Sequence, residues 1–142
     1  MPETLIQTRI TPPGCAAGIV RRKRLLSLLA ENIDKSLILI CTSAGFGKTT
    51  LVQDFINYSK CSCAWYCVTP DIVSFYSFFT YIINSLKRLS KDFGENSLHL
   101  INAIKKDTAS SGNYETAIGD ITATFLNEFC SCFKELMRLF KT

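Results

Sequence analysis

Apolar positions along this chain follow two different periods, and each change of period marks a predicted element. From Val20 the spacing is helical: Leu25, Leu26, Leu28 and Leu29 share one face, and Asn32 and Asp34 end the pattern. Leu37-Ile38-Leu39-Ile40 is then an unbroken apolar run leading into Cys41, which suits a strand buried on both faces of a parallel sheet. From Lys48 to about Tyr58 the helical period returns, with Leu51, Val52, Phe55 and Ile56 on one side and polar Asn57, Ser59 and Lys60 at the end. Cys63-Ala64-Trp65-Tyr66-Cys67-Val68-Thr69 is rich in aromatic and small apolar residues and reads as a second strand, stopped by Pro70. Strand, helix, strand at this spacing predicts a right-handed βαβ unit, with Leu37–Cys41 and Ala64–Val68 parallel neighbours or flanking one missing strand. The expected fold class is α/β, an incomplete parallel sheet with flanking helices.

The second half of the chain is helical in pattern. Ser74 is placed to cap a helix running to about Leu89, with Phe75, Phe78, Phe79, Ile82, Ile83, Leu86 and Leu89 at helical spacing. An aromatic stripe of this kind reads as core. Leu98, Ile101 and Ile104 predict a shorter helix, and the polar stretch from Asp107 to Asn113 a loop. Ile118, Ile121, Phe125, Phe129, Phe133, Leu136 and Phe140 predict a last helix, on which Glu128 and Glu135 are expected to face solvent. Met1 to Gly18 hold three of the four prolines and no period, so they read as an extended lead-in to a domain covering 19–142.

The chemistry is concentrated between the first predicted strand and the helix after it, in Ser43-Ala44-Gly45-Phe46-Gly47-Lys48-Thr49-Thr50. Gly45 and Gly47 allow backbone conformations closed to other residues, so that successive peptide N–H groups can point at one anion. The positive end of the following helix adds to that field. Lys48 would place a point charge on the outer phosphates, and the Thr49 hydroxyl would ligate Mg2+. This is a Walker A-type phosphate loop, with Thr42 where the first glycine of the usual pattern stands, and it makes the expected fold P-loop-NTPase-like.

Composition narrows the classes without choosing among them. Of 142 residues, 47% are hydrophobic and 20% charged, which excludes a disordered chain. No apolar run approaches the ~18 residues of a membrane span. Net charge is +4, and its densest run, Arg21-Arg22-Lys23-Arg24, reads as the solvated start of a helix in preference to a nucleic-acid patch. Seven cysteines with no secretory signal before them point to reduced thiols and a cytoplasmic setting. Cys61/Cys63, Cys130/Cys132 and the single His99 do not match zinc-ligand spacing. A carboxylate at the end of a neighbouring strand, needed to organise metal and water for hydrolysis, has one candidate in Asp71, just past Pro70.

Thr8-Arg9-Ile10-Thr11-Pro12-Pro13, Ile19-Val20-Arg21-Arg22-Lys23-Arg24-Leu25-Leu26 and Ser43 to Leu51 together resemble the start of the MalT-type regulators. Ala64-Trp65-Tyr66 and Phe125-Leu126-Asn127-Glu128-Phe129 extend the likeness. These regulators are signal-transduction ATPases of the STAND class, and many end in a LuxR-type DNA-binding domain. The resemblance implies a switch that binds ATP or ADP with Mg2+, the segment before the glycine loop holding the adenine through Ile19, Val20 and Arg22 or Arg24. It also implies that the Walker B strand falls beyond Thr142, and that DNA contact belongs to C-terminal regions outside this chain. An unfinished sheet would leave an apolar edge and favour self-association. Two other readings stay open: a small free-standing P-loop enzyme of the kinase kind, and a non-catalytic truncated remnant.

Overall fold

The computed structural model describes residues 5–14, 18, 20–70, 74–107 and 114–139. Among them the chain forms a single 3-10 turn, Gln7–Arg9, and five helices: α1 (Lys23–Glu31), α2 (Lys48–Ser59), α3 (Phe75–Leu86), α4 (Glu95–Asp107) and α5 (Tyr114–Leu139). It divides into two compact units. One comprises Met1–Thr11 with Ala64–Thr142, the other Pro12–Cys63.

The expected parallel sheet is absent from the described residues, and the α/β, P-loop-NTPase-like class is corrected accordingly to a helical one. Residues 37–43 and 61–69 carry neither helix nor strand. The reason is pairing. A strand is stabilised by a ladder to a neighbour, whereas a helix closes its hydrogen bonds within its own segment. No backbone bond joins 37–41 to another segment among the described residues, and the second apolar stretch is tied to the lead-in by a bond from Cys67 N–H to Arg9 C=O at 2.8 Å, without a strand ladder. The apolar run therefore stays in water: Leu37 is 79% exposed and Leu39 78%.

In the unit of α3, α4 and α5 the helical periods hold. Tyr76, Phe79, Ile83, Phe93, Ile101 and Ile121 form its buried cluster. Phe125 stands edge-on to both Phe79 and Phe93, with ring centroids 5.3 and 5.7 Å away, and Phe133 lies 5.5 Å from Phe93. These are the separations at which edge-to-face rings attract. Gly94 lies so near Ile83 that a Cβ there would overlap the Ile83 Cγ2 methyl, and its φ of +78° already favours glycine. Ser74 precedes α3 in extended conformation, but its side chain makes no capping bond. Glu128, expected in solvent, is half-buried: its carboxylate accepts from Asn96 N–H at 3.0 Å, from Ser97 N–H at 3.1 Å and from the Ser97 hydroxyl. An α5 side chain thus satisfies the first-turn donors of α4 and places negative charge at its positive end.

Residues 5–11 belong to this same unit. Ile10 is 3% exposed, Ile6 N–H donates to the Tyr81 hydroxyl at 3.2 Å, and Arg88 donates to Thr11 Oγ1 at 2.8 Å. The Arg9 guanidinium lies over the Tyr81 ring, 5.4 Å from its centre.

The smaller unit is built on α1 against α2. Leu26 and Leu29 are its buried apolar residues, and α2 buries the polar pair Gln53 and Asp54. Gln53 donates its amide to the Pro13 carbonyl, and Asp54 pairs with Arg21 at 3.3 Å. All four residues of the basic tetrad are exposed, as expected of a solvated helix start, and two of them also bond within the unit, Arg21 to Asp54 and Arg22 to the Phe46 carbonyl.

Candidate functional site

The glycine loop enters α2 as a tight left-handed turn. Gly45 and Gly47 take φ of +83° and +74°, and Gly47 is the residue immediately before the helix. Only glycine adopts such angles without strain, which is why these two positions carry it. The first helical bond runs from Leu51 N–H to Gly47 C=O at 2.9 Å. The N–H groups of Lys48, Thr49 and Thr50 precede that bond and have no partner inside the helix, and no side chain caps them. A twelve-residue helix thus opens with unsatisfied donors directly after a turn that has no Cβ at two of its three apex positions.

Two cations hold the loop. Lys48 Nζ donates to the carbonyls of Thr42 and Ser43, at 2.8 and 2.9 Å. An ammonium has three protons, so this leaves one for a further acceptor. Arg22 donates from Nη1 to the Phe46 carbonyl at 3.1 Å, and its guanidinium lies 3.4 Å from where a Gly47 Cβ would stand. Ser43, Ala44, Phe46 and Thr49 are exposed, the Phe46 ring among them at 60%.

Two recesses flank the loop. One, of about 240 Å³, is lined by Val20, Arg22, Gly45, Gly47, Thr50, Leu51 and Asp54. The other, of about 520 Å³, is mostly apolar: Leu25, Leu28, Leu29, Ile38, Ile40 and Leu51 line it, with Lys48 and Arg22 at its rim. The sequence-derived set is thereby partly assembled. Gly45, Gly47, Lys48, Thr50, Val20 and Arg22 meet around the loop; Ile19 and the proposed acid Asp71 lie outside the described residues. Arg24 is exposed and lines neither recess.

Asp54 is the residue that sequence reasoning passed over. The signal was present, since Gly47, Thr50 and Asp54 are spaced at i, i+3 and i+7 and must lie along one stripe of α2. Among the described residues no group of three or more His, Cys, Asp or Glu side chains is placed to hold a metal ion, no disulfide joins the cysteines, and no helix is long and apolar enough to cross a membrane.

The chain is similar to three curated proteins named HTH-type transcriptional regulator MalT. Those of Vibrio campbellii and Vibrio parahaemolyticus are each 28% identical to it over 83 residues, 58% of this chain and 9% of the relative. That of Vibrio cholerae is 25% identical over 95 residues, 67% of this chain and 10% of the relative. The chain thus spans about a tenth of the length of the curated relatives it matches. No family model matches it, and no solved structure does. The likeness makes it a segment related to transcriptional regulators.

Proposed function

We propose that the glycine loop of this regulator-related segment binds the phosphates of an adenine nucleotide, ATP or ADP, and that the bound nucleotide is its regulatory ligand. The observation that carries this reading is the start of α2, where uncapped N–H groups follow two left-handed glycines and face no side-chain acceptor. Helix N-termini of this form attract anions through both donors and dipole. Lys48 and Arg22 fit the same ligand, for each now spends its hydrogen bonds on loop carbonyls that a phosphate would outcompete. Val20 and Leu51 offer apolar surface to the base, in the recess that the glycines open. The exposed Thr49 hydroxyl is the protein ligand proposed for Mg2+, an ion that keeps most of its water and takes its other contacts from phosphate. None of this requires a sheet behind the loop.

Calorimetric titration with ADP and ATP, with and without Mg2+, tests the reading. Replacing Lys48 by Ala removes one charge-assisted contact and is expected to weaken binding about tenfold to a hundredfold. Replacing Thr49 by Ala should weaken binding only when Mg2+ is present. Equal affinity in wild type and Lys48→Ala, or no affinity in the folded wild type, overturns it.

A further inference from the structure

The larger recess beside the glycine loop, of about 520 Å³, is of the size that encloses a small molecule. Its walls come from three stretches of one unit: α1, the apolar run at 38–40, and Leu51 of α2. Much of that wall faces water, with Leu28 54% exposed, Ile38 40%, Leu39 78% and Phe46 60%. Single exposed apolar residues are ordinary, but apolar surface gathered around one concavity is a place for an apolar ligand. The charge around it is one-sided. Arg22 and Lys48 are the charged residues that line it, and no Asp or Glu does. Lys48 lines this recess and not the smaller one beside Val20. Two of its three ammonium protons go to the Thr42 and Ser43 carbonyls, so one donor is left for a ligand. The bond to the Phe46 carbonyl occupies one of the five N–H donors of Arg22. A cationic ligand would be repelled at this rim, and an uncharged one would gain nothing from it. A carboxylate at the end of an apolar chain complements both the rim and the walls.

We propose that this recess binds a small anionic amphiphile, an alkyl carboxylate whose chain lies against Leu28, Ile38 and Leu39 and whose head group accepts from Lys48 at the rim, beside Arg22. The binding needs no nucleotide. The nucleotide proposed above would draw on the same lysine, so the two ligands compete and each weakens the other by the same factor. That consequence alone rests on the phosphate reading.

The test titrates octanoate, 1-octanol and octyltrimethylammonium calorimetrically into wild type, Lys48→Ala and Leu28→Gln, each probe below the concentration at which it self-associates. Each variant is first checked for a native helical spectrum and melting transition, and Leu39→Ser replaces Leu28→Gln if the latter does not fold. Wild type should bind octanoate about tenfold or more tighter than 1-octanol, the gain expected of one hydrogen bond between charged groups, and the cationic probe no tighter than the alcohol. Lys48→Ala should remove most of that preference and leave 1-octanol affinity unchanged. The apolar-wall variant should weaken octanoate and 1-octanol alike, by about tenfold. Saturating octanoate should lower the affinity for ADP. If wild type binds none of the probes or all three equally, or if folded Lys48→Ala keeps the full preference, the recess is not a site for an anionic amphiphile. If wild type is a dimer that Leu28→Gln converts to a monomer, and octanoate does not dissociate it, a second copy covers the recess and the proposal fails. If ADP binds equally well with and without octanoate, the head group is not on Lys48 and the assignment is overturned. Octanoate binding without any ADP binding upholds this site and removes the phosphate reading alone.

Discussion

Ile83 and Phe93, in the unit of α3, α4 and α5, are fully buried, while Leu37 and Leu39, in the unit of α1 and α2, stand 79% and 78% exposed. All four are large apolar residues, and Ile83, Leu37 and Leu39 lie in segments with clear apolar patterns. They differ in what burial demands. Ile83 lies on a helix whose backbone is already satisfied, so its face needs only another helix to pack against, and α4 and α5 supply it. Leu37 and Leu39 lie in a run that would need a paired backbone before its side chains could be covered, and the described residues offer no such partner. Self-sufficiency of the backbone separates a consolidated core from an open groove in one chain.

Breaking the consolidated side should have the largest effect. Phe93 contacts the rings of Phe125, Phe129 and Phe133 and is 0% exposed. Phe93→Ala is expected to cost about 3–5 kcal/mol, through lost transfer free energy and the cavity left behind. Urea unfolding followed by Trp65, the single tryptophan and a member of the same unit, reads this directly. A loss below about 1 kcal/mol would mean that this core is not packed as described.

A smaller effect is expected at Glu128. Glu128→Ala strands two backbone donors and a hydroxyl at the start of α4, and should cost about 1–3 kcal/mol by the same measurement. Glu128→Gln, which keeps acceptor capacity but not charge, should cost less. Equal stability of wild type and Glu128→Ala would remove the capping role.

The exposed run should respond least. Leu37→Ser and Leu39→Ser are each expected to change stability by no more than about 0.5 kcal/mol, as substitutions of exposed residues do. Circular dichroism is the suitable probe, because Trp65 lies in the other unit and the two units need not unfold together. A loss of about 2 kcal/mol at either position would show the run buried in solution and erase the contrast.

The candidate site mixes both kinds of information. The turn at Gly45 and Gly47, the start of α2 at Lys48 and the uncapped donors behind it were legible in the sequence, because they follow from residues adjacent along the chain. Arg22 reaching the Phe46 carbonyl and Asp54 meeting Arg21 were not, because their partners lie 24 and 33 positions away.

From sequence alone, the helices α2 to α5 are determined to within a few residues, since each closes its bonds four residues back and prints its buried face as a period of 3.6. The glycine turn is determined in the same way, by residues whose allowed angles are their own. Tertiary structure alone decides whether an apolar run becomes a strand, where Glu128 spends its carboxylate, and that Asp54 pairs with Arg21. Each of those outcomes depends on a partner distant in sequence, and no local preference specifies where that partner will be.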